Sequence, residues 1–341
     1  MTASSSAPNS SIPKKVDVFG VGNALLDILS LVDDDFIQTH HLNRGAMTLV
    51  DVETQGKLLQ ELENQSLELR CGGSAANTMI AIAQSGGTGY YTGKVAEDTN
   101  GEFYRQDMMA VGLGFEIAPS QESGATGTCL VLTTPDAERT MCTTLGVATT
   151  LAAGDINLEH LRTCQYSYME GYLWDAVEPR KACIETMEQS KRYGVKVAFT
   201  FSDGFLLDRF AEDFLSLTKT YCDVVFCNAD ELRHLYQTES LESGVEELSK
   251  IVDMAFITNS EKGCFVIENQ QISQVSGFPA KPIDTVGAGD AFAGGVLYGL
   301  THGLTTQQAA RWGNYLGSQV VQIHGPRLPK IAIDQLQSVI Q

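Results

Sequence analysis

The hydrophobic positions of the chain fall into short runs that alternate with longer amphipathic stretches. The short runs are rich in β-branched and aromatic residues and end at turn residues, which is typical of buried strands. They cover residues 16–21, 195–201, 224–227 and 254–258. Helical spacing of apolar positions predicts helices over 74–85, 178–193, 205–219, 241–252, 290–300 and 305–323. This alternation predicts an α/β fold with a mainly parallel central sheet covered by helices.

Two of the predicted helices carry end signals. Ser74 stands before the first apolar turn of one helix and is interpreted as its N-cap, and the glycine pair at 86–87 is interpreted as its stop. Thr305 is followed three residues later by Gln308, which predicts a capping box at the start of the last long helix.

The segments 28–52 and 115–147 interrupt the alternation. They carry short strand-like runs at 46–50, 128–133 and 139–144, which predict extra strands standing off the main sheet; ordinary surface hairpins are the alternative. Residues 1–15 are rich in Ser, Ala and Pro and lack the apolar core of a signal peptide, so we expect a flexible tail. Residues 16–330 are expected to form one domain, followed by a C-terminal segment, 331–341.

The composition narrows the class of protein. Of 341 residues, 43% are hydrophobic, which excludes a largely disordered chain. The net charge of −19 argues against binding nucleic acid or an anionic membrane surface, because both require clustered Lys and Arg. The eight cysteines show no C-x-x-C spacing and the six histidines no ligand spacing, so we expect reduced thiols, no zinc site and a cytoplasmic location.

The most informative motif lies in a stretch without net charge, residues 263–341. Residues 284–295 read Asp-Thr-Val-Gly-Ala-Gly-Asp-Ala-Phe-Ala-Gly-Gly, and an apolar helix follows. A glycine-rich turn at a helix N-terminus directs backbone N–H groups and the positive end of the helix dipole at one point, which suits an anion. The dipole is expected to keep Asp290 ionised beside that anion. A carboxylate there can accept a proton from a substrate hydroxyl, as phosphoryl transfer to an alcohol requires.

This twelve-residue string resembles the C-terminal signature of the PfkB (ribokinase-like) family of carbohydrate and nucleoside kinases. The resemblance extends over residues 16–330 and implies a ribokinase-like αβα sandwich with a small β lid. It implies that the backbone of Gly287, Ala288 and Gly289 forms the anion hole and that Asp290 is the catalytic base. ATP and Mg²⁺ are the cofactors that the family implies.

Residues of the N-terminal part resemble the family's substrate site. Gly-Asn-Ala-Leu-Leu-Asp-Ile at 22–28 is similar to the first-strand motif of adenosine kinases, which implies that Asn23 and Asp27 bind ribose hydroxyls. Gly-Gly-Ser-Ala-Ala-Asn resembles the family's Gly-Gly motif and implies that Gly72 and Gly73 lie against the sugar while Asn77 binds one of its hydroxyls.

Further motifs resemble the nucleotide side of the family's site. Asn-x-x-Glu at 228–231 implies that Asn228 and Glu231 position phosphate and, indirectly, Mg²⁺; helix capping by Asn228 is compatible with this role. Thr258, Lys262 and Gly263 match the nucleotide-binding turn. The resemblance also implies other nucleotide contacts: Asn314, near the base, and Arg139, which would reach the transferring phosphate from the lid; a solvated hairpin charge is the alternative for Arg139.

The resemblance is strongest to the adenosine kinase branch, although Leu173 occupies the position where those enzymes carry a stacking Phe. Tyr172 or Trp174 would stack on the base instead. We therefore expect an ATP-dependent kinase acting on the 5′-OH of adenosine, with a sugar kinase or a kinase of another nucleoside as the alternative. A small nucleoside or sugar is the expected partner, and a monomer and a homodimer both remain open.

Two other classes remain as weaker alternatives. Gly20 and Gly22 stand at the end of the first predicted strand and begin a dinucleotide-binding fingerprint, but its third glycine is missing, which disfavours an NAD-dependent dehydrogenase. A nucleotide-sensing module would bind nucleotide without turnover, and the intact Asp290 argues against it.

Overall fold

The computed structural model describes residues 15–115, 120, 124–136, 138–331 and 333–341. The predicted flexible tail therefore lies outside the described residues except for Lys15, as do parts of the predicted segment 115–147. The described strands are β1 (Val16–Val21), β2 (Leu25–Leu31), β3 (Met47–Leu49), β4 (Glu68–Gly72), β5 (Gly89–Thr92), β6 (Thr126–Thr133), β7 (Arg139–Gly146), β8 (Cys164–Glu170), β9 (Lys196–Thr200), β10 (Val224–Asn228), β11 (Met254–Thr258), β12 (Cys264–Glu268) and β13 (Gln271–Val275).

The described α-helices lie between and after these strands. They are α1 (Asp34–Thr39), α2 (Val52–Glu61), α3 (Ser74–Gln84), α4 (Thr99–Ala110), α5 (Leu158–Leu161), α6 (Val177–Tyr193), α7 (Gly204–Thr220), α8 (Ala229–Tyr236), α9 (Leu241–Ser249), α10 (Ala288–Thr301), α11 (Thr306–Val320) and α12 (Leu336–Val339).

The large sheet has the strand order β13-β12-β11-β10-β9-β8-β1-β5. The six neighbouring strands β5, β1, β8, β9, β10 and β11 run parallel to one another. β12 and β13 add an antiparallel edge next to β11. One face packs on α6, α7, α8 and α9, and the other on α3, α4, α10 and α11. The predicted strands β1, β9, β10 and β11 are buried on both faces, which explains why most of their positions are apolar. The predicted α/β sandwich with a mainly parallel sheet is confirmed.

The predicted elements agree closely with the observed ones. β1 and β11 cover the predicted residues, β9 is one residue shorter than predicted at each end, and β10 is one residue longer at its end. The capping box of Thr305 and Gln308 is present at the start of α11. The largest differences are at helix C-termini, where α9 ends at Ser249 and α11 at Val320, each three residues earlier than predicted.

A second, five-stranded sheet has the order β3-β7-β6-β2-β4. One of its faces packs on α1 and α2 around Ile37, Leu58 and Leu62, while the other turns toward the large sheet. Strands were predicted at β3, β6 and β7, but β4 lies outside both predicted segments, although its sequence, Glu-Leu-Arg-Cys-Gly, alternates polar and apolar residues. β2 of the small sheet follows β1 of the large sheet after three residues, and β4 leads directly into α3. At both places the chain passes from one sheet layer to the other, where the two sheets meet.

The C-terminal segment is part of the same packed structure. Ile331, Leu336, Val339 and Ile340 belong to a cluster with residues of α10 and α11 such as Trp312. All eight cysteines lie in the described part of the chain, and none of them forms a disulfide there. None of the described helices is both long and apolar enough to cross a membrane.

Candidate active site

A cavity of about 370 Å³ opens between the carboxyl ends of the large-sheet strands and the inner face of the small sheet. In open parallel sheets, ligands bind at this edge, because loops and helix N-termini converge there. The large sheet contributes residues at the ends of β8, β9, β10 and β11, namely Tyr168, Glu170, Thr200, Phe226, Asn228, Phe256 and Thr258.

The small sheet supplies the opposite, mainly apolar wall of this cavity. Side chains at alternate positions of a strand face the same side, so each strand presents one row to the cavity. The lining residues from this sheet are Leu25, Asp27, Met47, Leu49, Cys129, Val131, Met141, Thr143 and Leu145. Asp27 is the one ionisable carboxyl of this wall among the described residues, so the wall combines an apolar surface with a single polar anchor.

The glycine-rich turn forms the N-terminus of α10, as predicted. Gly287 is the N-cap with φ +76°, and a Cβ there would lie 2.3 Å from the carbonyl oxygen of Pro326, so glycine is required. A Cβ on Gly289 would meet no atom within 4 Å, and Gly289 faces the cavity. Ala288 is the first residue of the helix. The backbone of this turn is therefore open to an anion at the positive end of the α10 dipole.

Asp290 lies in the first turn of α10 and lines the cavity. Its Oδ1 accepts a hydrogen bond from Ser74 Oγ at 2.6 Å, and its Oδ2 accepts one from Asn77 Nδ2 at 3.1 Å. Burial raises the pKa of Asp290 to about 6, although both hydrogen bonds oppose the shift. The expectation that the dipole simply keeps the carboxylate ionised is thus refined: Asp290 is ionised at neutral pH, but with a pKa closer to that of an efficient base.

Ser74 does not cap α3, contrary to the sequence interpretation. Gly73, with φ +95°, is the N-cap residue and makes no side-chain hydrogen bond, while Ser74 is the first helical residue. Its hydroxyl is directed at Asp290 because α10 packs across the start of α3. Local sequence signals favoured a cap, whereas the contact with Asp290 depends on a helix more than two hundred residues away.

Glu170 is a buried site residue that sequence reasoning did not assign. At the end of β8, its Oε1 accepts the backbone N–H of Asn23 at 2.7 Å and its Oε2 accepts that of Ala75 at 2.6 Å. A Cβ on Gly22 would lie 2.8 Å from Glu170 Oε2, so this glycine makes room for a carboxylate. Burial raises the pKa of Glu170 to about 7. An acid as the last residue of a strand was the available signal.

Asp27 extends from β2 into the same cavity and is 7% exposed. A Cβ on Gly72 would lie 2.1 Å from Asp27 Oδ1, so Gly72 serves the packing of this carboxyl, and Gly73 rather than Gly72 lines the cavity. Burial raises the pKa of Asp27 to about 7, while the charges of Arg327, Arg139 and Arg70 lower it. These arginines bring positive charge to a protein that is acidic overall.

Arg139 is buried, so the alternative of a solvated hairpin charge is wrong. Its side chain is 6% exposed and forms an ion pair with the fully buried Asp284. Asp284 also accepts the N–H of Val286 at 3.0 Å and that of Gly325 at 2.6 Å. The pair therefore links the small sheet to the segment that leads into the glycine-rich turn. Desolvation lowers the pKa of Arg139 to about 10, so it remains charged at neutral pH.

The predicted nucleotide-side residues divide into two groups. Asn228 and Glu231 line the cavity and form a capping box at the start of α8, and burial raises the pKa of Glu231 to about 8. Thr258 lines the cavity, whereas Lys262 and Gly263 lie in the turn after β11 and outside the lining.

Asn314 likewise lies outside the cavity lining. Its Nδ2 donates to the carbonyl oxygens of Val275 and Ser276 at 3.1 and 3.2 Å, so it holds the end of β13 against α11.

Among the three residues of segment 172–174, Tyr172 faces the cavity. Its hydroxyl donates to the carbonyl oxygen of Ser202 at 3.3 Å. Leu173 and Trp174 are buried in the core, and Trp174 Nε1 donates to Asp213 Oδ2 at 2.9 Å. Trp174 is thereby eliminated as a residue that stacks on a ligand.

A carboxylate beside an open helix N-terminus, in a cavity closed by a second sheet, provides the groups that phosphoryl transfer to an alcohol requires. The sequence matches the profile of the "pfkB family carbohydrate kinase" over residues 47–332. This chain therefore belongs to the pfkB family of kinases and is a phosphotransferase. Gly20 and Gly22 are explained by packing against Met79 and Glu170, which leaves the dehydrogenase interpretation without support.

Similar proteins include kinases of nucleosides and of sugars. Adenosine kinase from Sinorhizobium meliloti is 32% identical with a TM-score of 0.89, and the match covers 95% of this chain and 99% of that one. A probable sugar kinase from Rhizobium etli is 31% identical with a TM-score of 0.90, covering 97% and 100% of the two chains. Adenosine kinase 1 of Arabidopsis thaliana is 25% identical over 92% of this chain and 96% of its own length.

Proposed function

We propose that this kinase transfers the γ-phosphoryl group of ATP to the 5′-OH of adenosine. The observation that carries the proposal is the position of Asp290, which is hydrogen-bonded by Ser74 and Asn77 and lies beside the open turn of Gly287–Gly289. Asp290 accepts the proton of the attacking hydroxyl, and the backbone of the turn stabilises charge on the transferred phosphoryl group. Arg139 adds positive charge on the side of the small sheet.

The remaining predicted residues are proposed to hold the two substrates. Asn23, Asp27 and Asn77 bind ribose hydroxyls next to Gly72 and Gly73, and Tyr172 faces the base. The apolar small-sheet wall offers a surface that suits a purine and would gain little from a free sugar. The nucleotide lies against Asn228 and Thr258 in the cavity and extends beyond its lining toward the proposed contacts Lys262, Gly263 and Asn314.

Mg²⁺ fits this site as an ion carried by the nucleotide. The described residues contain no cluster of three or more His, Cys, Asp or Glu side chains arranged to hold a metal. Glu231 is one of the carboxyl groups that line the cavity, and Mg²⁺ in kinases is held mainly by substrate phosphates and water with one or two carboxylates. When bound, the ion neutralises phosphate charge; Glu231 is proposed to orient it through water.

A sugar kinase remains the second candidate, because the Rhizobium etli relative is a probable sugar kinase and is as similar as the adenosine kinase. The two are separated by measuring ADP release from Mg-ATP with adenosine, other nucleosides, ribose and fructose. Turnover is expected with adenosine, at a kcat/KM at least about a hundredfold above that for either sugar. Preferential turnover of ribose or fructose would overturn the substrate assignment.

The Asp290→Asn variant is the matched control for the mechanism. Asparagine preserves the size of the side chain but removes the base, so kcat is expected to fall by roughly two to four orders of magnitude. Mg-ATP should still raise the thermal unfolding midpoint of the variant. Near wild-type turnover in this variant would contradict the proposed role of Asp290.

A further inference from the structure

Arg327 is a buried arginine that the proposed reaction does not yet use. It follows Pro326, which packs on the glycine-rich turn. Its side chain is 11% exposed, and its Nη1 donates to Asp107 Oδ2 of α4 at 2.8 Å. Its Nε and Nη2 are buried and have no hydrogen-bond partner in the described part of the protein. Buried polar groups are nearly always satisfied, so these two donors require an acceptor.

Asn77 has a buried hydrogen-bond acceptor without a donor, which complements the two buried donors of Arg327. Its Nδ2 donates to Asp290, while its Oδ1 is buried and has no partner among the described residues. Asn77 and Arg327 line one crevice, together with Ala291 and residues of α3 and α11. The crevice has a volume of about 10 Å³, which is the space of roughly one water molecule.

We propose that Arg327 is a positioning residue for the base: through one ordered water in this crevice, it fixes the side-chain amide of Asn77 in the orientation that donates to Asp290. A guanidinium group only donates hydrogen bonds. A water bound to Arg327 therefore accepts from it and directs its own hydrogen at Asn77 Oδ1. The amide nitrogen is then left to face Asp290. This inference rests on the proposed role of Asp290.

The reversed amide would place an oxygen against the carboxylate of Asp290 and would remove one of the two hydrogen bonds that lower its pKa. The titratable groups on neighbouring elements whose pKa the charge of Asp290 raises are Asp27 on β2, Glu170 and Tyr168 on β8, and Tyr172 after β8. Arg327 also acts directly on Asp27 through its charge. A test must separate this direct effect from the path through Asn77.

A double-mutant cycle achieves this separation. kcat and kcat/KM for the acceptor are measured against pH for wild type, Arg327→Gln, Asn77→Ala and the double variant. In Arg327→Gln, the acidic limb is expected to move up by about half a pH unit and kcat to fall roughly tenfold, with KM for ATP unchanged. Arg327→Lys should recover most of the activity. In the Asn77→Ala background, removing Arg327 should have little further effect.

Other outcomes would contradict the inference. Losses that add in the double variant would mean that Arg327 acts through Asp27, and an unchanged pH profile with a lowered unfolding midpoint would mean a purely structural role. Arg180→Gln is the matched control, because Arg180 also has a buried, unpartnered Nε but lies on α6, and it should leave the profile unchanged. If Arg327→Gln does not fold, Asp107→Asn replaces it by releasing the anchor of the guanidinium.

The failure of the proposed function can be recognised separately. If the wild-type protein phosphorylates no acceptor, or if Asp290→Asn is active, the proposed reaction is refuted. The pH profile of kcat can then no longer test the role of Arg327. A crystal structure then decides the inference. It is expected to show a water within hydrogen-bond distance of both Arg327 and Asn77 Oδ1, and a reversed Asn77 amide or a crevice without this water would overturn it.

Discussion

The hydroxyl of Ser74 donates a hydrogen bond of 2.6 Å to Oδ1 of Asp290, although 216 residues separate the two along the chain. The contact exists because α3 and α10 pack closely. A Cβ on Gly294 would meet Ala81 Cβ at 2.6 Å and the carbonyl oxygen of Thr78 at 2.7 Å. The position of the proposed base therefore depends on the packing of two helices.

Replacing Ser74 with Ala should raise the pKa of Asp290. The lost hydrogen bond stabilises the charged carboxylate, so without it Asp290 ionises at a pH above about 6. The base is active when ionised, and the acidic limb of kcat is therefore expected to move up by less than about one pH unit, with a small change at high pH. Ser85→Ala is the control, since Ser85 donates within α3 to Ala81. Identical profiles for both variants would contradict the prediction.

Adding a methyl group at Gly287 and adding one at Gly289 should have different effects on the free energy of unfolding. Gly287→Ala places a Cβ against Pro326 at a positive φ and is expected to lower the free energy of unfolding by about 1–2 kcal/mol or more. Gly289→Ala meets no atom within 4 Å and should leave that free energy unchanged or raise it by up to about 1 kcal/mol.

The same pair separates stability from turnover. The methyl group of Gly289→Ala projects into space beside the proposed anion hole, so turnover should fall although the fold is intact. Denaturant unfolding and ADP release, measured on both variants, test the pair. Full activity of Gly289→Ala would argue against an anion at this turn.

The stability of the ligand-free protein should decrease as pH rises from about 5 to about 8. Burial raises the pKa values of Asp27 and Glu170 to about 7 and that of Asp290 to about 6. In this range the folded protein keeps protons that the unfolded chain has released, so each group lowers stability by at most about 1.4 kcal/mol per pH unit. Urea unfolding at several pH values measures how steeply the free energy of unfolding falls with pH. Asp290→Asn should make this fall less steep, and a free energy of unfolding that rises with pH would refute the raised pKa values.

Breaking the Arg139–Asp284 pair should be more costly than breaking a surface pair. Arg139→Gln leaves a buried carboxylate whose two backbone donors compensate only in part, so we expect a loss of about 2–4 kcal/mol of stability. Arg139→Gln combined with Asp284→Asn should recover part of this loss. Arg44, which precedes β3, is exposed and pairs with Asp34 and Asp136, so Arg44→Gln should cost much less stability than Arg139→Gln. Equal losses at Arg139 and Arg44 would contradict the buried pair.

Much of this protein was predictable from local sequence. The positions of β1 and β11, the capping box at Thr305 and the glycine-rich turn before Asp290 depend on neighbouring residues, so periodicity and turn chemistry reveal them. The same motif indicated the family and the chemistry of the site before any contact was known.

The remaining features depend on residues that are distant in sequence. Ser74 was interpreted as a cap and proved to contact Asp290, Arg139 proved to be buried against Asp284, and Glu170 and Arg327 were not singled out. Hydrophobic periodicity reports which face of an element is buried but not which polar group meets it there. The sequence by itself determined many of the elements, the glycine-rich turn and the reaction class. Only the packing of α3, α10 and the small sheet decided which side chains surround the base and set its pKa.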